Sequence, residues 1–102
     1  MNTYDIGDVV RLRASFTNSA GTAVDPTSVT VQYRRWLADP ASYTTLVYGV
    51  NSVVKAGTGE YYHDLLTGSL DAGEYRYRWN GLGDNAAAVE GRFMLSVRWV
   101  GG

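Results

Sequence analysis

The chain has 102 residues, 45% hydrophobic and 13% aromatic, enough core material for one domain that folds without staples. It has no cysteine, which excludes disulfide frameworks, thiolate zinc sites, iron–sulfur clusters and cysteine nucleophiles. A formal charge of −1 supplies no overall field toward nucleic acid or membrane, and no apolar run approaches the roughly 20 residues of a bilayer-spanning helix.

The opening MNTYDIGDVV lacks a basic leader followed by an apolar stretch, so the reading is of a soluble intracellular product beginning at or near Met1. Helical periodicity is nowhere sustained, whereas apolar–polar alternation recurs between turn signals, the pattern of an all-β sandwich or barrel. The first predicted strand covers residues 8–17, with Val10, Leu12, Ala14 and Phe16 inward and Val9, Arg11, Arg13 and Ser15 outward. Asn18-Ser19-Ala20-Gly21 supplies turn chemistry, a short extended piece follows at 22–24, and Asp25-Pro26 breaks it. The second strand covers 28–35, with Val29, Val31 and Tyr33 on one face and Thr30, Gln32 and Arg34 on the other. Residues 36–43 (WLADPASY) read as a loop. Strands at 44–48, 52–55 and 60–66 come next, the last placing Tyr61, His63 and Leu65 inward. The strand at 74–80 puts Tyr75, Tyr77 and Trp79 on one face and Arg76 and Arg78 on the other, which predicts that all three rings are sealed in the core. Residues 81–85 (GLGDN) read as a hairpin loop. The last strand, 89–100, turns Phe93, Leu95, Val97 and Trp99 inward and Arg92, Met94, Ser96 and Arg98 outward.

About seven antiparallel strands in two sheets, forming one domain over residues 1–102, resemble an immunoglobulin-like β-sandwich in count and spacing. The run Asp71-Ala72-Gly73-Glu74-Tyr75-Arg76-Tyr77 resembles the corner of such domains. That resemblance implies that the Tyr75 hydroxyl bonds back to nearby backbone. Tyr77 stands where a disulfide-bearing domain has cysteine, so the antibody-type pattern is not followed. Asp5-Ile6-Gly7-Asp8-Val9-Val10-Arg11-Leu12, Ala23-Val24-Asp25-Pro26-Thr27 and Gly57-Thr58-Gly59-Glu60-Tyr61, together with the tyrosine-corner strand, carry a closer resemblance. It covers most of the chain and is to small proteins encoded by tailed bacteriophages and prophages among their head and tail structural proteins. The resemblance implies a virion component: a capsid decoration or fibre-base protein, or a head–tail accessory subunit.

Chemistry is thin. His63 is the only histidine, and without cysteines a metal site would need carboxylates around one imidazole, whereas Asp64 alternates to the opposite face. A serine triad would also need His63, but no G-x-S-x-G elbow is present. Asp25, Asp39, Asp71 and Asp84 lie in turns, where aspartate usually bonds backbone amides, and Asp5 and Asp8 lie near the start. Gly57-Thr58-Gly59 is too short for a phosphate loop and precedes no helix.

The arginines are the stronger surface signal. Arg11 and Arg13 point outward on the first predicted strand, Arg76 and Arg78 on the aromatic strand, Arg92 and Arg98 on the last. If the last strand neighbours both others, six arginines share one outer face, balanced in part by Glu74 and Glu90. Such a face suits docking on an acidic shell; the alternative is a solvated face of cross-strand charge pairs. Trp36, Leu37 and Tyr43 form a second candidate contact, with capping of the sandwich end as the structural alternative. The expectation is a non-enzymatic virion protein, without cofactor or metal, whose partners are other virion proteins (the major capsid or head–tail proteins) or further copies of itself on the particle. No nucleic-acid or membrane partner is expected. The alternative is a carbohydrate-binding or adhesion module stacking sugars on exposed loop aromatics.

Overall fold

The computed structural model of the chain describes residues 2–36, 43–83 and 87–96. These form eight strands and no helix: β1 (Asn2–Asp5), β2 (Val9–Ser15), β3 (Ser28–Arg35), β4 (Thr44–Val47), β5 (Val54–Gly57), β6 (Glu60–Leu66), β7 (Gly73–Leu82) and β8 (Ala87–Ser96). One sheet has five strands in the order β1-β8-β7-β3-β4, and the other has three, β2-β6-β5. All pairings are antiparallel except that of β1 with β8, which is parallel.

The two sheets stack through a single apolar cluster. Val10, Leu12 and Ala14 of β2 with Tyr61 and Leu65 of β6 meet Val29 and Val31 of β3, Tyr75 and Trp79 of β7 and Phe93 and Leu95 of β8. The strict alternation of β2 explains this: every second side chain is buried, and the intervening Arg11, Arg13 and Ser15 are exposed. Each large side chain fully removed from water contributes roughly 1.5–3 kcal/mol. The ring of Tyr75 stacks on Phe93 at 5.3 Å and 7°, while Phe16 meets Tyr61 edge-on at 5.7 Å. Tyr75 also donates its hydroxyl hydrogen to the carbonyl of Asp71 at 2.8 Å, which pins the turn before β7 to the strand it starts.

Several sequence expectations need revision. Trp79 and Tyr75 are sealed, at 0% and 4% exposure, but Tyr77 is only partly buried. Three strands do not cover the inner face of five, so Tyr77, Tyr33, Leu46 and Val89 lie at the margin of the core. β1 is an unexpected eighth strand, and its parallel pairing departs from the all-antiparallel reading. Its sequence NTYD offers one apolar side chain, Tyr4, so alternation does not show it; backbone pairing with β8 holds it, and Tyr4 packs edge-on against Phe93. The corner after it explains the change of sheet. Gly7 adopts φ +105°, the Ile6 amide donates to Ser96, and the Gly7 amide donates to the hydroxyl of buried Thr67. That hydroxyl in turn donates to the carbonyl of Asp8 at 2.6 Å.

β7 extends to Leu82 and so takes in Gly81, which sequence reading assigns to the hairpin loop. A Cβ on Gly81 would fall 2.6 Å from Cγ of Pro26, so glycine lets Pro26 close this end of the sandwich. β5 begins two residues later than expected, because the Val47 amide binds the Asn51 side chain and the Val53 amide binds the Asn51 carbonyl in the preceding turn. The extended piece at 22–24 is reduced to a bridge between Thr17 and Ala23. The loop at 37–42, the hairpin tip at 84–86 and the last strand beyond Ser96 lie outside the described residues.

Candidate functional site

The outer face of the five-stranded sheet carries a cross-strand row of like charges. Arg34 of β3 lies directly opposite Arg76 of β7, and Arg76 lies directly opposite Arg92 of β8. The adjacent row runs Gln32, Arg78, Glu90. One residue past β3, the Trp36 amide donates to the carbonyl of Glu74 at 2.7 Å, which adds a further rung and keeps Trp36 on this outward face. Two guanidiniums then lie over its indole: Cζ of Arg76 is 3.6 Å from the ring centroid and that of Arg34 is 4.8 Å.

Two of the four arginines hold carboxylates. The Arg76 Nε–H donates to Glu74 at 2.7 Å, and Arg78 donates from Nη1 to Glu90 at 3.0 Å and from Nε to Asn80 at 2.9 Å. Among the described residues, no carboxylate forms an ion pair with Arg34 or Arg92. The outward positions of β3, β7 and β8 thus hold four guanidiniums against two carboxylates, a local excess of two positive charges on a chain of net −1. Asp5 lies two strands beyond β7, on β1 at the far edge. Between these side chains is an open concavity of about 310 Å³, lined by Gln32, Arg34, Trp36, Tyr43, Arg76, Arg78 and Glu90. Tyr43 is 50% exposed at its rim.

The six-arginine face therefore divides. Arg76, Arg78 and Arg92 lie on this surface, but Arg11 and Arg13 belong to the opposite, three-stranded sheet, because β2 pairs with β6 and β1 takes the place beside β8. There Arg11 is neutralised: it grips Asp64 through Nε at 2.7 Å and Nη2 at 3.0 Å and lies 3.9 Å over the Tyr62 ring. That hydrogen bonding raises the Arg11 pKa and lowers the Asp64 pKa from their ordinary values. Arg98 and Leu37 lie outside the described residues. Trp36 and Tyr43 do come together, at one concavity with the arginines.

Sequence reasoning missed Arg34. Alternation already puts it outward on its strand, and the missing signal was strand order: β3 neighbours β7, which aligns Arg34 with Arg76.

The remaining polar candidates are structural in their contacts. His63 is 8% exposed on the inner side of β6, with Nδ1 2.7 Å from the Ser52 carbonyl. Asp25 accepts from the Gly59 amide, the Tyr61 hydroxyl and the Lys55 ammonium, tying together segments 30 or more residues apart. These bonds, Lys55 first, lower its pKa. Among the described residues no three His, Asp or Glu side chains are grouped to hold a metal ion.

Searches against protein-family models, curated protein sequences and solved structures return no match for this chain.

Proposed function

We propose that the chain is an immunoglobulin-like virion subunit of a tailed bacteriophage, a non-enzymatic capsid decoration or accessory protein that docks on other virion proteins through the outer face of its five-stranded sheet. Three features support the immunoglobulin-like assignment. The strands divide five and three, the first pairs in parallel with the last, and the Tyr75 hydroxyl closes the corner before the penultimate strand. The phage assignment rests on the sequence resemblance of the segments around Asp5, Ala23, Gly57 and Asp71.

The observation that carries the docking role is the Arg34–Arg76–Arg92 row. Like charges placed directly opposite one another destabilise a sheet, and they could readily be offset, as the opposite sheet does with Arg11 and Asp64. Leaving the row's two ends, Arg34 and Arg92, without an ion pair among the described residues and beside an aromatic is the composition of a contact surface, in which arginine and tryptophan dominate the energetics. Mixing the purified protein with undecorated capsids and sedimenting them tests the reading: saturable co-sedimentation is expected, and its absence refutes it.

The carbohydrate-binding reading would use Trp36 and Tyr43. Two guanidiniums already occupy stacking surface on Trp36, which favours docking, and a glycan array separates the two.

A further inference from the structure

Deepening the docking reading and resting on it, we infer that the Arg34–Arg76–Arg92 row, beside the concavity lined by Arg34, Trp36 and Arg76, is a carboxylate-binding subsite that seats glutamate or aspartate side chains of an acidic peptide segment on the partner protein. Arg34 and Arg92, which form no ion pair among the described residues, supply the forks at either end of the row.

The residues argue for this occupant in three ways. First, the three arginines sit on adjacent strands about 4.8 Å apart, so the outer two are separated by roughly 10 Å at the backbone. Alternate side chains of an extended peptide are about 7 Å apart, a spacing that two flexible arginines bracket. Second, the site's own pairing is guanidinium with carboxylate: Arg76 with Glu74 and Arg78 with Glu90 show the geometry an incoming carboxylate would repeat. Third, Arg34 and Arg76 are held against the Trp36 ring, so part of their ordering is complete before a ligand arrives.

A nucleic-acid backbone fits less well. Glu74 and Glu90 interrupt the positive surface and would repel a continuous line of phosphates. The chain's net charge of −1 also gives no long-range attraction for a polyanion.

The test is fluorescence anisotropy of a labelled, end-blocked hexapeptide, Glu-Ser-Glu-Ser-Glu-Ser, titrated with the full chain. Saturable binding that weakens with salt is expected. The double variant Arg34→Ala/Arg92→Ala should bind at least tenfold more weakly, while Arg11→Ala on the opposite sheet should match the parent. Arg34→Lys/Arg92→Lys keeps the charge but loses the planar fork, and should stay at least threefold weaker. Circular dichroism establishes that each variant is folded. Equal loss in Arg11→Ala, full recovery with lysine, or tighter binding of a hexathymidine oligonucleotide would each overturn the inference. If capsids bind the parent chain and the double variant equally well, the docking reading stands and the subsite falls. If the peptide binds while capsids do not, the subsite stands and the virion reading falls.

Discussion

Tyr75 and Tyr77 sit two residues apart on the same face of β7, and removing each hydroxyl separates a corner bond from ordinary packing. In Tyr75→Phe the ring keeps its stack on Phe93, but the 2.8 Å bond to the Asp71 carbonyl disappears. A neutral hydrogen bond of this kind contributes about 1 kcal/mol net. The bond spans four residues and is partly buried, so little of the loss is recovered by water, and the expected cost is about 1–1.5 kcal/mol. For a domain of this size that lowers Tm by roughly 4–10 °C. Tyr77 makes no hydrogen bond within the described residues, and its ring lies at the core margin, so Tyr77→Phe should shift Tm by no more than about 2 °C. Thermal unfolding followed by circular dichroism reads both. The reasoning is refuted if the two variants lose equal stability, or if Tyr77→Phe loses more.

Other outcomes follow from the same geometry. Arg92→Glu converts a like-charge neighbour of Arg76 into an opposite one, so urea unfolding at low salt should show a gain of about 0.2–1 kcal/mol that shrinks at high salt, together with loss of peptide binding. Trp79 is fully buried with an indole N–H that has no hydrogen-bond partner among the described residues. Trp79→Phe removes that orphaned donor, so its cost should fall below about 2 kcal/mol, while Trp79→Ala should lose roughly 3–5 kcal/mol; equal losses would contradict this. Asp25 and Asp64 have lowered pKa values in the folded chain, held down chiefly by Lys55 and Arg11. Their contribution is therefore complete above the unfolded aspartate value of about 3.9 and is lost as pH falls through the folded values. Urea midpoints should stay level from pH 7 to about 5 and decline below about 4, less steeply in Arg11→Met.

What the sequence made legible was local. The alternation in 28–35 and 60–66 returned β3 and β6 residue for residue, because every second side chain there must leave water. The bond from Tyr75 to Asp71 was legible too, since one short run brings its donor and acceptor together. Non-local pairing was not. β1 is held by backbone bonds to a strand some 90 residues away and buries only part of one ring, so no periodicity announces it. That omission moved Arg11 and Arg13 onto the wrong sheet in the sequence reading, and the unseen adjacency of β3 and β7 left Arg34 out of the row it begins. Face assignments could be read from the residues; which faces adjoin required the strand order.

If this domain works through one surface, a cryo-electron microscopy map of capsids carrying the bound subunit will show which one. The expected map has the five-stranded sheet turned toward the shell, with Arg34, Arg92 and Trp36 in the contact and Arg11 and Asp64 facing solvent. A subunit seated through its three-stranded sheet, or capsids left bare at saturating protein, would contradict it.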